Sequence, residues 1–378
     1  MVTYPNDWKD DKVSNLVDIS TGCRDTQDNK PSGKFPFFVR SPIVERIDVA
    51  DYDCEAVLTA GDGVGTGKVF HYINGKFAAH QRVYVMNNFR DVDGKYFYYY
   101  FSKNFINEVE KYTAKSSVDS VRRAMIADMQ FPHPDLPEQK EIVKALSSFD
   151  TYIDDLAELI EKKKGIRDGA LEDLMSRKTR LVNLSDEWED ALLSDICKIY
   201  DGTHQTPKYT LTGVRFVSVE NIADLHGSNK YISFEAYQSD FKVYPEKGDI
   251  LMTRIGDIGT PNVVETDEPL AYYVSLALFK NITVNSRFLH YYIMSSTFQK
   301  ELDDRTLHHA TPKKINKGEI GKCKVAYPRD KKEQEAIAEV LTAMDKEIAN
   351  LETEREKMIQ IREGAMNDLL TGRVRLTK

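Results

Sequence analysis

The chain has 378 residues, of which 41% are hydrophobic and 30% charged, with a net charge of −8. This composition is typical of a soluble globular protein with room for two domains. The acidic balance argues against a protein that coats nucleic acid through bulk basicity, so a DNA-binding role must rest on local patches or on a partner. No apolar run approaches the roughly 20 residues that cross a bilayer, and residues 1–8 lack a secretory signal, so we expect a cytoplasmic protein without a membrane partner.

The first predicted element is a globular domain over residues 1–133, with Trp8 near its start. Apolar runs rich in aromatic and β-branched residues predict its strands, and an aromatic-rich stretch predicts a helix near its end. The predicted strands are 35–39, 56–59, 69–73 and 82–86, and the predicted helix is 96–110. Basic side chains near glycine turns are candidate DNA contacts, because they can bind phosphates and base edges. These candidates are Lys34, Arg40, Lys68 and Arg82.

A glycine-rich run in this domain, from Gly61 to Lys68, looks at first like a phosphate-binding loop. It fails on spacing, because Asp62 stands where that motif requires glycine, and Val69 replaces the Ser or Thr that binds magnesium. The run also leads from one predicted strand into another. We therefore expect a turn between strands, from which Lys68 can approach a DNA phosphate.

A long helix is predicted over residues 134–184. Asp135 stands at the N-cap with Glu138 three residues later, as in a capping box, and the pattern extends for about 40 residues, or roughly 60 Å. Gly165 and Gly169 predict a kink or a break beyond its middle. Apolar residues that step by four and three form the a/d pattern of a coiled coil. This first seam consists of Ile142, Leu146, Phe149, Ile153, Leu156 and Ile160.

A second globular domain is predicted over residues 185–327 and looks like a diverged copy of the first. Trp188 lies near its start, as Trp8 does in the first domain, and Gly256 follows a strand-like run as Gly61 does. The predicted strands are 214–219, 250–253 and 272–279, and the predicted helix is 287–302. Both domains are expected to contain a curved, mostly antiparallel sheet and to differ in their loops. The candidate DNA contacts here are Thr203, His204, Lys208, Arg215, Arg254, Lys313 and Lys314.

The final element is a second long helix over residues 328–378. Asp330 and Glu333 repeat the capping pattern, and Gly364 predicts another kink or break. Its seam consists of Ile337, Leu341, Met344, Ile348 and Leu351. Since one helix alone would leave its seam exposed, we expect the two helices to pack antiparallel on each other. The alternative is that each helix packs onto its own globular domain.

The two helices are copies of each other at a constant offset of 195 residues, without a gap. The residues that recur are Asp135, Glu138, Gln139, Ile142, Leu146, Asp150, Ile153, Leu156, Ile166, Arg167, Gly169, Ala170, Asp173, Leu174, Arg180 and Leu181. So many matches indicate an internal duplication and a pseudo-two-fold arrangement. Such a protein suits a target that has two parts.

Tests for catalytic motifs are negative. Asp135, Glu138 and Lys140 have the residue types of a nuclease motif, but they lie at the start of a helix instead of on separate strands. The chain lacks a cofactor-binding glycine motif, a nucleophile elbow and an amino-methylation motif. The four cysteines and eight histidines are dispersed without zinc spacing, so no metal site is predicted. A non-enzyme is therefore favoured, although a site built from distant residues stays open.

The arrangement resembles the specificity subunits of type I restriction–modification systems, and the resemblance covers essentially the whole chain. It rests on the two helix openings at Glu138-Gln139 and Glu333-Gln334, on the segment 248–259, and on the closing segment 364–376. The first copy of the closing segment, 169–181, lacks the Thr-Gly pair found at 371–372, so its helix is expected to end differently.

The resemblance implies a mixed α/β fold in which two globular target recognition domains are separated by two long helices that form an antiparallel coiled coil. Each domain would recognise one half of a bipartite, asymmetric site in double-stranded DNA, and the helices would set the spacer between the half-sites. The helices would also bind two modification subunits, which hold S-adenosylmethionine and methylate adenine. Two ATP- and magnesium-dependent restriction subunits join in some systems. The chain itself would carry no cofactor and no catalytic residue.

Two other interpretations remain. The first is a duplicated coiled-coil scaffold or interaction protein without a DNA role, against which the divergence of the loops argues. The second is an enzyme with an unrecognised site, such as a nuclease or a methyltransferase complete in one chain.

Overall fold

The computed structural model describes residues 3–63, 65–113, 120–181 and 187–376. The chain divides into two compact units. Unit 1 comprises Met1–Ala157 with Thr353–Lys378, and unit 2 comprises Glu158–Glu352. The predicted border between residues 184 and 185 lies outside the described residues. Since both unit borders fall within long helices, each unit contains one globular segment and a part of each helix.

In unit 1 the elements up to the first long helix are eight strands and three shorter α-helices in the described residues. They are β1 (Lys9–Lys12), α1 (Val13–Leu16), β2 (Asp18–Thr21), β3 (Phe35–Phe38), β4 (Glu45–Ile47), β5 (Tyr52–Ala60), β6 (Phe70–Ala79), β7 (Val83–Asn87), α2 (Gly94–Thr113), α3 (Arg123–Ala127), β8 (Gln130–His133) and α4 (Leu136–Met175). The main sheet has the order β2-β7-β5-β6-β3-β4, and β1 pairs with β8. Among the described strands of this sheet, only β3 and β6 run parallel, so the expectation of a mostly antiparallel sheet is confirmed.

Unit 2 repeats this plan. Its elements are β9 (Trp188–Leu192), α5 (Leu193–Ile196), β10 (Lys198–Asp201), β11 (Val214–Val217), β12 (Tyr231–Ile232), α6 (Phe234–Asp240), β13 (Ile250–Ile255), β14 (Asp257–Val263), β15 (Leu270–Tyr272), β16 (Leu276–Lys280), α7 (Ser286–Met294), α8 (Ser296–Asp303), α9 (Lys317–Gly321), β17 (Lys324–Pro328) and α10 (Lys331–Leu369). The order β10-β16-β13-β14 matches β2-β7-β5-β6, and β9 pairs with β17 as β1 pairs with β8. A separate sheet, β12-β11-β15, completes the unit.

Two predicted elements of unit 2 are each divided in the structure. The run 272–279 is not one strand, because Tyr272 pairs with Val217 whereas Leu276 pairs with Thr253 in another sheet. The stretch 287–302 is not one helix. It breaks at the buried Ser295, whose backbone is extended and whose hydroxyl caps the next helix by accepting from the Phe298 amide.

Both long helices begin where the capping pattern predicts. The Asp135 carboxylate accepts a hydrogen bond from the Glu138 amide at 3.2 Å, and the Asp330 carboxylate accepts from the Lys332 amide at 2.9 Å. The other half of the predicted capping box is wrong, because the Glu138 and Glu333 carboxylates bind arginines instead of the N-cap amides.

The expected breaks at the helix glycines do not occur. Helix α4 runs through Gly165 and Gly169, and α10 runs through Gly364, as continuous helices of 40 and 39 residues. A glycine costs only about 1 kcal/mol relative to alanine inside a helix. The hydrophobic clusters that hold both helix ends supply enough stabilisation to outweigh that cost.

Candidate nucleic-acid interface

In unit 1 the structure brings two of the candidate arginines together on one carboxylate. Asp62 accepts from Arg40 Nη1 at 2.8 Å and from Arg82 Nη1 at 2.6 Å. Burial raises the pKa of the Asp62 carboxyl, but the hydrogen bonds from both arginines outweigh burial and leave its pKa lowered. The arginine side chains remain 42% and 61% exposed, so this cluster presents one net positive charge to solvent.

The glycine-rich run that carries Asp62 connects β5 to β6, as the sequence predicts. Gly63 and Gly67 adopt φ values of 75° and 66°, a left-handed conformation that favours glycine in this turn. Lys68 is exposed on the same run. Lys34 is also exposed, at the start of β3, but no side-chain contact joins it to the Asp62 cluster in the described residues.

In unit 2 the candidates Thr203, His204 and Lys208 lie on the loop that follows β10. His204 and Lys208 are exposed, and the Thr203 hydroxyl accepts from the Gln205 amide at 3.3 Å. The backbone of this loop is fixed against β15, because the Thr203 amide donates to the Tyr272 carbonyl. Gly202 is required there, since a Cβ atom would lie 2.5 Å from the Tyr272 oxygen.

Two candidate arginines of unit 2, the buried Arg254 and the half-buried Arg215, bind other groups of the unit. Arg254 is 6% exposed and is ion-paired with Asp201. Arg215 donates from Nη1 to the carbonyls of His226 and Ser228, both at 2.6 Å, and its guanidinium lies over the Tyr231 ring. Because these groups are occupied within the unit, we remove both arginines from the set of proposed DNA contacts.

Lys313 and Lys314 are exposed on the segment between α8 and α9. The backbone of this segment forms bridges with β13 and with Leu307, so the two lysines lie beside the turn between β13 and β14. The structure therefore places them at the end of β13, next to Arg254. The backbone of β13 thus holds the segment that carries both lysines.

The predicted seams of the long helices are buried or half-buried along their whole length. In unit 1, Ile142 and Leu146 of α4 share a hydrophobic cluster with Met366, Leu369 and Leu370 at the end of α10. In unit 2, the equivalent cluster contains Ile337 and Leu341 of α10 with Leu171, Leu174 and Met175 of α4. Within each unit, the two helices thus pack on each other and on the globular segment of that unit.

Ion pairs and a hydrogen bond between the helices define their direction. In unit 2, Lys163 pairs with Glu347 at 2.7 Å and Arg167 pairs with Asp345 at 3.4 Å. In unit 1, Tyr152 donates to Glu354 and Arg362 pairs with Asp150, both at 2.5 Å. Partner numbers on α10 fall as those on α4 rise, so the pairing is antiparallel within each unit and the coiled-coil prediction is confirmed.

Sequence reasoning missed the tyrosines that join each globular segment to its helix. Tyr99 Oη donates to Asp150 at 2.5 Å, and Tyr291 Oη donates to Asp345 at 2.7 Å. Burial, together with these carboxylates, raises the pKa of both phenols. The sequence shows that Asp150 recurs as Asp345. It does not show which residues these aspartates bind, because each tyrosine lies about 50 residues before its aspartate.

The Glu-Gln pairs in the first turns of the two long helices also have structural roles. Glu138 is 3% exposed and binds the Arg375 guanidinium through two contacts of 2.7 Å. In unit 2, Glu333 is 2% exposed and binds Arg180. The neighbouring Gln139 and Gln334 are buried and accept from the backbone amides of Asp93 and Asn285, where α2 and α7 begin.

We expect Arg375→Ala to lower the free energy of unfolding by about 3 kcal/mol, because it leaves the buried Glu138 carboxylate without its cation. The matched control is Arg373→Ala, since Arg373 is 72% exposed and pairs with Asp368 on the surface. Loss of that surface pair should cost less than about 1 kcal/mol. Urea titrations followed by circular dichroism compare the two variants. An equal loss in the free energy of unfolding for both variants would show that burial of the Glu138–Arg375 pair contributes nothing to stability.

Within the described residues, no helix is long and apolar enough to cross a membrane, and no group of three or more His, Cys, Asp or Glu could hold a metal ion.

The comparison with known proteins agrees with this geometry. The model of the type I restriction modification DNA specificity domain matches residues 5–164 and again residues 185–360. The MjaVIII specificity subunit of Methanocaldococcus jannaschii is 25% identical over 98% of this chain and 94% of its own length. The EcoDI specificity subunit of Escherichia coli is 30% identical over 38% of this chain and 31% of its own length.

Solved structures show the same fold. The S subunit of a type I restriction-modification system from M. genitalium covers 96% of both chains with a TM-score of 0.65 at 19% identity. A chain from a structure of a type I R-M system covers 98% of this chain and 100% of its own length, with a TM-score of 0.60 at 16% identity. Since the two domain matches fill most of the sequence and coincide with its internal repeat, the chain belongs to the family of type I restriction modification DNA specificity domains.

Proposed function

We propose that the chain is the DNA-recognition subunit of a type I restriction–modification complex, in which each globular segment recognises one half of a bipartite site. The observation that carries this proposal is the repeated sheet framework with different side chains at its loop-bearing end. Unit 1 presents the Arg40–Asp62–Arg82 cluster there, whereas unit 2 presents Thr203, His204 and a lysine-rich segment. Different polar side chains on one scaffold suit the recognition of two different base sequences.

The paired helices are proposed to fix the spacer between the half-sites and to bind two modification subunits. A helix of 40 residues spans about 60 Å, which exceeds the roughly 34 Å of one turn of B-DNA. Ion pairs and apolar seams hold the two helices in register within each unit, so they suit a rigid spacer.

Catalysis is proposed to belong to partner subunits. The modification subunits would bring S-adenosylmethionine and methylate adenine, and restriction subunits, where present, would bring ATP and magnesium. The buried ion pairs and capped helices account for Asp135, Glu138 and Glu333 without a catalytic role. The acidic chain would then depend on its partners for much of the positive charge around the duplex.

Reconstitution tests this proposal against its rivals. The purified chain is mixed with its cognate modification subunit, S-adenosylmethionine and a library of DNA duplexes. We expect methyladenine in one split motif only when both proteins are present. Methylation or cleavage by the chain alone would identify it as an enzyme, and failure of the two proteins to bind would favour the scaffold interpretation.

A further inference from the structure

Two loops and one turn of unit 2 meet at one edge of its four-stranded sheet. Strands β10 and β13 both run antiparallel to β16, so they are parallel to each other. Their last paired residues, Asp201 and Thr253, lie opposite Ala277 and Leu276 at the start of β16. The loop 202–208 therefore leaves the same edge as the turn between β13 and β14.

The segment 307–317 reaches that edge through backbone hydrogen bonds. Lys314 forms a bridge with Ile255 and another with Leu307, and the Gly256 amide donates to the Lys313 carbonyl at 2.8 Å. A cleft of about 190 Å³ lies beside this segment, lined by Gly256, Thr306, His308, Lys313, Gln299 and Asp303 among others.

The buried Arg254 joins the two loops. Its Nη1 pairs with Asp201, which immediately precedes loop 202–208. Its Nε donates to the Ile315 carbonyl at 3.1 Å, and its own carbonyl accepts from the Ile315 amide at 3.0 Å. The Arg254 side chain thus joins Asp201, just before loop 202–208, to segment 307–317. The pairing of β13 within the sheet holds Arg254 itself in place.

Both loops carry positive charge that the unit does not neutralise. Lys313, Lys314 and Lys317 are exposed, and none forms an ion pair within the described residues. Lys208 on the other loop is also exposed and unpaired in that part of the chain. Exposed lysines without a carboxylate partner in the described residues also occur elsewhere in unit 2, as at Lys198 and Lys242, but they do not lie on these two loops. Unneutralised lysines are the ones that release counterions when they bind DNA phosphates.

We propose that loop 202–208 and segment 307–317 form one composite DNA-contact surface, and that Arg254 is the positioning residue that fixes the distance between its two parts. This inference rests on the proposed function and deepens it for one half-site. The lysines would bind phosphates, while Thr203 and His204 would face base edges in a groove. The corresponding end of β5 in unit 1, Thr59-Ala60-Gly61, contains no arginine, so this arrangement is not repeated there.

The first test uses surface lysines, whose substitution leaves the fold intact. The double variant Lys313→Gln, Lys314→Gln is compared with Lys198→Gln, Lys242→Gln, two exposed lysines outside the proposed surface. Binding of each reconstituted complex to a duplex with the split motif is measured by fluorescence anisotropy at several salt concentrations. The slope of log K against log salt should become less negative by about 2 in the first variant only. Equal slopes for both variants would overturn the proposed surface.

The second test uses Arg254→Gln and Arg254→Lys, followed by sequencing of methylated DNA from the reconstituted reaction. We expect a relaxed base preference in one half-site of the motif and an unchanged preference in the other. Arg254→Lys should relax it less, because lysine keeps the charge beside Asp201 but lacks the second planar donor. Lower methylation with unchanged preference in both half-sites would overturn the positioning role. A native complex without any split motif would instead reject the proposed function itself.

Discussion

Removal of one facing heptad from both long helices is expected to shorten the spacer of the methylated motif while both half-sites stay the same. The deletions are residues 153–159 from α4 and 351–357 from α10. Lys163 contacts Glu347 within unit 2, and Tyr152 contacts Glu354 within unit 1. In both pairs the two residue numbers add up to about 510, as they do for the ends of the two deleted segments, so the deletions remove facing residues within each unit. Each deletion removes about 10 Å of helix, which equals up to about three base pairs at 3.4 Å each.

The register is preserved by this design. Deletion of 153–159 brings Ile160 to the place of Ile153, and the partner deletion brings Met358 to the place of Leu351, so the apolar seams continue. The ion pairs of Asp150 and Asp345 are left in place. A heptad removed from α4 alone is the control, since it should misalign the seams and prevent assembly. Altered half-site sequences, or an unchanged spacer in the folded double deletion, would contradict the spacer role of the helices.

Exchange of residues 1–133 for the matching segment of a relative is expected to change one half of the motif completely and to leave the other half unaltered. The whole unit 1 sheet, β2 to β7, and its basic cluster lie within this segment, whereas unit 2 lies wholly outside it. The donor must keep a tyrosine at the position of Tyr99, because its hydroxyl binds Asp150 on α4. Long-read sequencing of methylated host DNA gives both half-sites. A change in both halves would show that the segments do not recognise DNA independently.

The long helices were predictable because their determinants are local and occur twice. An N-cap aspartate and a four-three apolar row fix where such a helix begins and which side is buried, and both signals repeat at an offset of 195. The repeat also predicted that the two domains share a sheet framework, although the sequence indicated only a few strands in each domain. The breaks expected at Gly165, Gly169 and Gly364 were wrong, since packing of both helix ends outweighs a small local cost. The glutamate half of the capping boxes was also wrong, because Glu138 and Glu333 bind arginines.

The individual side chains of the candidate site were less predictable, because their roles depend on partners that are distant in sequence. Arg254 looked like a surface cation, yet its partners Asp201 and Ile315 lie 53 and 61 residues away. Glu138 fits a capping box by local pattern, but its carboxylate binds Arg375 at a separation of 237 residues. Charge and loop placement identify the surface, whereas three-dimensional contacts decide which cations remain available to DNA.

The central claim is that this chain directs methylation to a bipartite DNA site. Modified-base long-read sequencing of host DNA, with the gene intact and deleted, tests it most directly. We predict a split methyladenine motif that is present with the gene and disappears when the gene is deleted. In a host that expresses the modification subunit, a methylation pattern identical in both strains would contradict the claim.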